Sequence, residues 1–169
     1  MRILAIDPGR HPGYVLLDDA ALVPRRFLRR DAPPTPALVG AWWALPAGLR
    51  VDAVVTEDQW LTGPQRKHAV LTLAKICGWQ LHEAVAATGG TPYVLPVDAW
   101  RYAFRAGSVR KEVLQARAEQ SLLAIEAATL PVCHSAKRRG DLLDAFLIGA
   151  AWHVLRPEPW GLWGASGLP

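Results

Sequence analysis

The chain has 169 residues, 51% hydrophobic and 20% charged, which is one domain's worth of globular sequence and excludes a disordered or low-complexity chain. Its formal charge of +4 and pI of about 9.4 suit an anionic partner such as nucleic acid without requiring one. The two cysteines, Cys77 and Cys133, provide no disulfide framework and no zinc-type spacing, which points to a reducing compartment.

The opening run Ile3–Ile6 stops at Asp7, so no signal peptide is expected. Lys75 interrupts one apolar stretch, and Asp144 and His153 interrupt another. No membrane span is therefore predicted, and a cytoplasmic location is the expectation.

In chain order, RILAID is a short apolar run of the kind a buried central strand shows, and PGRHPG is dense in turn residues. YVLLDD and ALVPRRFLRR read as a second and a third strand. APPTP breaks the chain before a short predicted helix over Ala37–Leu45. VDAVVTE is a further apolar, β-branched strand. The segment GPQRKHAVLTLAKICGWQLHEAVAATGG is a long predicted helix closed by glycines. Its apolar residues, among them Val70, Leu73, Cys77 and Leu81, wrap most of its circumference. Such a helix is expected to be buried on more than one side, with the sheet covering one and a second subunit a candidate for the other.

TPYVLP is the last predicted strand, and VDAWRYAFR a short helix. SVRKEVLQARAEQSLLAIEAA has a serine N-cap and apolar positions at Val113, Leu114, Ala118, Leu122 and Ile125, the pattern of an amphipathic helix. LPVCHSAKRRG reads as an irregular basic loop, and the closing helix is expected from about Asp141 to Leu155. The tail RPEPWGLWGASGLP has no periodicity. Short links make the first three strands antiparallel, and helical crossovers make the fourth and fifth parallel to their neighbours. The prediction is an α/β fold with a mixed five-stranded sheet flanked by helices, over 1–156, and a Pro/Trp/Gly-rich tail over 157–169.

Four carboxylates stand out. Asp7 ends the first strand before Pro-Gly, where an aspartate serves a turn or a site at the carboxyl end of a strand. Glu57 ends the apolar run Ala53–Thr56 with no turn chemistry of its own, and Asp58 beside it should point to the opposite side. Asp141 and Asp144 are three apart at the head of the last helix, so they share one face. Capping a first turn and ligating a metal both explain them. The two strand ends fall on the middle strands, and a helix packed beside them delivers its head to the same place. Four converging carboxylates repel unless a cation lies between them, and oxygen ligands without histidine or thiolate fit Mg²⁺ or Mn²⁺. Two such ions suit phosphodiester cleavage.

The motifs ILAIDPG…GYVLLD, VVTEDQW and GDLLDAFLIGAAWH resemble, in this order, the three acidic motifs of the RuvC-type Holliday junction resolvases of the ribonuclease H-like superfamily. The similarity covers residues 1 to about 156, and EDQW with the HSAKRRG lead-in looks more like the phage-borne members. The resemblance implies a ribonuclease H-like fold with Asp7, Glu57, Asp141 and Asp144 as ligands of two Mg²⁺ or Mn²⁺ ions. It also implies a homodimer that nicks two opposed strands of a four-way junction, with dimerisation through the apolar helix around residues 66–86.

Lys111 matches an active-site lysine of the family, and Arg101 falls near a second basic position; as ordinary residues both would be surface cations. Lys137, Arg138 and Arg139 abut the last acidic motif and suit phosphate contact as well as a solvated loop. Arg25, Arg26, Arg29 and Arg30 form a second basic cluster, split between strand faces. Trp60 either packs on the following helix or, as the resemblance implies, acts as an aromatic wedge at the junction crossover. His134 and His153 read as structural, and Trp42, Trp43, Trp79 and Trp152 as core or interface. The competing readings are an RNA-processing nuclease of the related YqgF type and a catalytically inert junction-binding module.

Overall fold

The computed structural model describes residues 1–9, 12–18, 23–29, 50–58, 67–96, 100, 103–104, 110–124 and 136–157. Trp60, Arg101, the helix expected over Ala37–Leu45, and the tail from residue 158 lie outside these residues, as do Cys133, His134 and Arg30. Five strands form one mixed sheet: β1 (Arg2–Asp7), β2 (Gly13–Asp18), β3 (Val23–Arg29), β4 (Ala53–Glu57) and β5 (Thr91–Leu95), in the order β3-β2-β1-β4-β5. β1–β2 and β2–β3 pair antiparallel, and β4 runs parallel to both β1 and β5. Pro24, which has no N–H for a ladder, sits on the edge strand β3 beside a register shift between Leu16 and Leu17.

Among the described residues three helices accompany the sheet: α1 (Lys67–Thr88), α2 (Lys111–Ala124) and α3 (Ala136–Leu155). Strand alternation sorts the core into two layers. Ile3, Ala5, Val15, Leu17, Ala53 and Val55 face α3 and pack with its Leu143 and Ile148. Leu4, Ile6, Leu16 and Val54 face the other way and pack with Leu81 and Ala84 of α1. α3 lies close on the sheet because Gly149 has no side chain; a Cβ there would run into Leu17 and come within 3.0 Å of Ala5 Cβ.

Two expectations need correction. The last helix begins at Ala136, five residues before Asp141, so the basic triplet is helical and not loop. Ala, Lys and Arg are good helix formers, which is why the segment continues the helix upstream once α3 is anchored on the sheet. The amphipathic pattern of α2 holds at Leu114 (2% exposed) and Ala118 (4%), but Val113 is 42% exposed. It lies one position off the stripe that meets α3.

α1 buries Cys77, Gln80, Leu81 and Ala84 and exposes Ala74, Lys75 and Gly78. No helix among the described residues is long and apolar enough to cross a membrane.

Candidate active site

Parity decides where the acidic side chains go. Ile3 and Ala5 of β1 face α3, so Asp7, two residues on, shares that face at the strand's carboxyl end. Ala53 and Val55 of β4 face α3 in the same way, which puts Glu57 on the same side. The strands are adjacent and parallel, with Ile6 opposite Thr56, so both carboxyl ends reach the same edge of the sheet. Asp58 falls on the opposite side, as the alternation requires. A cleft of about 170 Å³ beneath α1 is nonetheless lined by both Glu57 and Asp58, with Thr56, Cys77 and Leu81. β4 is held on β5 past Glu57 by the Asp58 N–H, which donates to the Leu95 carbonyl at 2.7 Å.

α3 brings in the other pair. Asp141 is the sixth residue of this helix and Asp144 the ninth, so neither caps it, and the capping alternative is excluded. Asp141 is partly exposed, whereas Asp144 is only 2% exposed. The helix head fits against β2 because Gly13 has no side chain: a Cβ there would strike the backbone carbonyl of Asp141. Gly13 is also the sheet partner of Asp7. One glycine thus sits between the first and the third acidic motif.

A buried carboxylate needs partners, and α2 supplies those of Asp144. Lys111, its first residue, forms an ion pair with Asp144 Oδ2. That oxygen has no other donor among the described residues. Gln115, one turn further and on the same face as Lys111, donates from Nε2 to Asp144 Oδ1 at 2.9 Å and to the Gly140 carbonyl at 3.4 Å. On the other side of the cluster the buried Trp100 indole N–H donates to Glu57 Oε2 at 2.8 Å. The turn after Asp7 is held from α1. Gln80, only 3% exposed, accepts from the Gly9 N–H at 3.2 Å and donates to the Gly9 carbonyl at 2.8 Å.

The electrostatics match this convergence. Burial pushes the Asp7 carboxyl well above its usual range, and the negative charges of Asp144, Glu57 and Asp141 push it further, against the opposing pull of Lys111. Burial draws the Lys111 ammonium down, but its hydrogen bond to Asp144 and the charges of Asp144, Asp7 and Glu57 outweigh that, so its pKa is raised overall. Burial also pushes the nearby Cys77 thiol up to about 12, with help from Glu57 and Asp7.

All four expected carboxylates are therefore within electrostatic reach of one point. They do not form a closed cage: among the described residues no three His, Cys, Asp or Glu side chains are drawn tightly enough together to hold an ion. The Lys111 ammonium sits against Asp144. The donor set of carboxylate oxygens around a destabilised Asp7 nonetheless fits a hard divalent cation, because such an ion would relieve the repulsion that raises the Asp7 pKa.

Arg139, whose side chain is 45% exposed, forms an ion pair with Glu119 of α2. Lys137 and Arg138 fall in the first turn of α3, and their side chains lie outside the described set. Sequence reasoning missed Gly13, Gln80, Trp100 and Gln115. Of these, Gln115 carried a usable signal, the i+4 spacing from Lys111.

No protein-family model matches the sequence, and no curated protein matches it. Solved structures do. The Thermus thermophilus RuvC in complex with a Holliday junction substrate superposes with a TM-score of 0.61 at 20% identity, covering 90% of this chain and 94% of that one. A second Thermus thermophilus RuvC structure gives 0.57 at 20% identity, covering 90% and 95%. The Fowlpox virus resolvase, solved with Holliday junction DNA, gives 0.50 at 14% identity, covering 90% and 97%. At these identities the likeness is one of fold. Mixed sheet and flanking helices thus share the fold of the two Thermus thermophilus RuvC structures.

Proposed function

We propose that the protein is a Mg²⁺- or Mn²⁺-dependent endonuclease that resolves four-way DNA junctions by paired nicking. The observation that carries this reading is the clustering of Asp7, Glu57, Asp141 and Asp144 at one sheet edge, where burial and then the other three carboxylates push the Asp7 carboxyl up. Structural likeness to two junction-bound resolvases supports the choice of substrate.

In this reading the four carboxylates hold two divalent ions, which supply the Lewis acidity that activates a water and stabilises the leaving oxygen. The chain's own groups do the rest. Lys111 keeps its proton at neutral pH and offers N–H donors to the oxygens of the scissile phosphate. Gln115 and Trp100 hold Asp144 and Glu57 in place. Arg101, Lys137 and Arg138 bind the flanking backbone. Arg139 adds least, since Glu119 already pairs with it. Trp60, three residues after Glu57, stacks at the crossover.

Paired nicking needs two sites, so the working unit is a homodimer acting in the cytoplasm. α1 is its contact element, where the exposed Ala74 and Gly78 allow a partner helix to approach closely. Residues 1–156 form the nuclease domain and 157–169 an appended tail.

A synthetic four-way junction incubated with and without Mg²⁺ or Mn²⁺, beside Asp7→Asn, tests this reading. The expected result is metal-dependent paired nicks from the wild type and binding without cleavage from the variant. Full cleavage by the variant overturns the site. Linear duplex cut as fast as the junction overturns the substrate, preferential cutting of RNA favours the RNA-processing reading, and tight junction binding with no nicking favours the inert module.

A further inference from the structure

Two of the four acidic side chains are held by neutral N–H donors that come from elements outside the acidic motifs. Trp100 is 2% exposed and belongs to the core layer beneath α3, so its indole cannot swing away without disrupting that layer. Its Nε1 lies 2.8 Å from Glu57 Oε2. A glutamate at a strand end has three side-chain torsions, and one fixed donor on one oxygen restricts the direction of the other. Gln115 does the same for Asp144 at 2.9 Å, and its second bond, to the Gly140 carbonyl, ties the amide to the helix that carries Asp144.

Both donors are uncharged, and that matters at this edge. An arginine or lysine in either place would orient the carboxylate equally well but would cancel the negative charge that attracts a dication. An amide or indole N–H orients without neutralising. The contrast is visible at Asp144 itself, where one oxygen meets the Lys111 cation and the other the Gln115 amide.

We infer that Trp100 and Gln115 are positioning residues of the divalent-metal site, fixing Glu57 and Asp144 for ligation from opposite sides of the cluster. The inference rests on the metal-site reading above and adds two residues to it.

Mn²⁺ binding to the full-length protein without DNA, measured by calorimetric titration, tests it. Trp100→Phe keeps the ring and loses the donor. Gln115→Leu keeps the bulk and loses the amide, and Gln115→Glu keeps the shape but replaces donor by acceptor beside a carboxylate. Each should weaken Mn²⁺ binding by about 10- to 100-fold, the usual cost of removing a group that orients a ligand, with Gln115→Glu the weakest. Leu16→Ala, in the core layer on the far side of the sheet, should lower the melting temperature and leave Mn²⁺ affinity unchanged. That control separates positioning from general loosening of the fold. Wild-type affinity in both Trp100→Phe and Gln115→Leu overturns the positioning role while the metal site stands. Absence of Mn²⁺ binding by the wild type overturns both. A loss of affinity that only tracks the melting temperature, and that Leu16→Ala reproduces, also overturns the inference.

Discussion

Gly13 and Asp141 meet where any side chain on the first would strike the backbone carbonyl of the second. Gly13 is at the same time the ladder partner of Asp7. The distance between the first and third acidic motifs is thus set by a missing methyl group, and the lining of the gap is main chain, which cannot rotate aside.

Gly13→Ala should therefore push the head of α3 off the sheet. The overpacking costs about 1–3 kcal/mol of stability. Cleavage should fall further than that loss accounts for, by about 10²-fold, because displacement of a catalytic group by about an ångström has that effect. Thermal melts and junction cleavage at a temperature where the variant remains folded check both parts.

Asp7→Asn should stabilise the metal-free protein at neutral pH while abolishing cleavage. The folded-state pKa of Asp7 is raised, chiefly by burial and then by its acidic neighbours. Folding then takes up a proton, so the contribution of Asp7 is complete below the unfolded pKa of about 4 and is lost as pH rises through the folded value. Within that window the wild type in EDTA should lose stability by up to about 1.4 kcal/mol per pH unit from this group. The variant should lack that slope, and saturating Mg²⁺ should remove the variant's advantage. Melting temperatures from pH 4 to 8, with and without Mg²⁺, give the answer.

Lys111→Met should leave junction binding nearly intact and lower the cleavage rate by about 10²- to 10³-fold, the range for loss of one donor at a developing charge. The raised pKa of Lys111 keeps it protonated through neutral pH. Its contribution to stability is present below the unfolded lysine value of about 10.4 and is lost only as pH rises through the still higher folded value. The wild-type rate should accordingly show no Lys111 titration between pH 6 and about 9. A step in that range that disappears in Lys111→Met would contradict the assignment.

Cys77 should be inert in the native protein. It is 8% exposed, and its thiol is pushed up to about 12 by burial and by the charges of Glu57 and Asp7. Reaction needs the thiolate. In a Cys133→Ser background, iodoacetamide at pH 8 should label the native chain at least about 100-fold more slowly than the urea-unfolded chain, as read by mass spectrometry.

Much of this arrangement was legible in the sequence because strands obey parity. Apolar runs that end in an acid announce a carboxylate at a strand end, as at Asp7 and Glu57. The strand directions followed from which links were short and which were helical. The start of α3 was misjudged because a Lys-Arg-Arg run reads as solvated loop, although its residues favour a helix. The supporting residues were hidden for a different reason. A buried tryptophan looks like core whether or not its N–H has an acceptor, and the i+4 spacing of Gln115 from Lys111 shows a shared helix face but not the carboxylate it meets. Gly13 looked like a turn glycine, and only the approach of α3 reveals that it makes room for a helix.

The early start of α3 has a mechanical consequence. Because the basic triplet and both aspartates lie on one continuous helix, the rise of about 1.5 Å per residue fixes Lys137 about 10 Å from Asp144 along its axis. In the proposed nuclease the helix is therefore a ruler: a backbone phosphate bound at its N-terminal end would set how far along the strand the cut falls. A chain with the same residues in a loop would have no such scale.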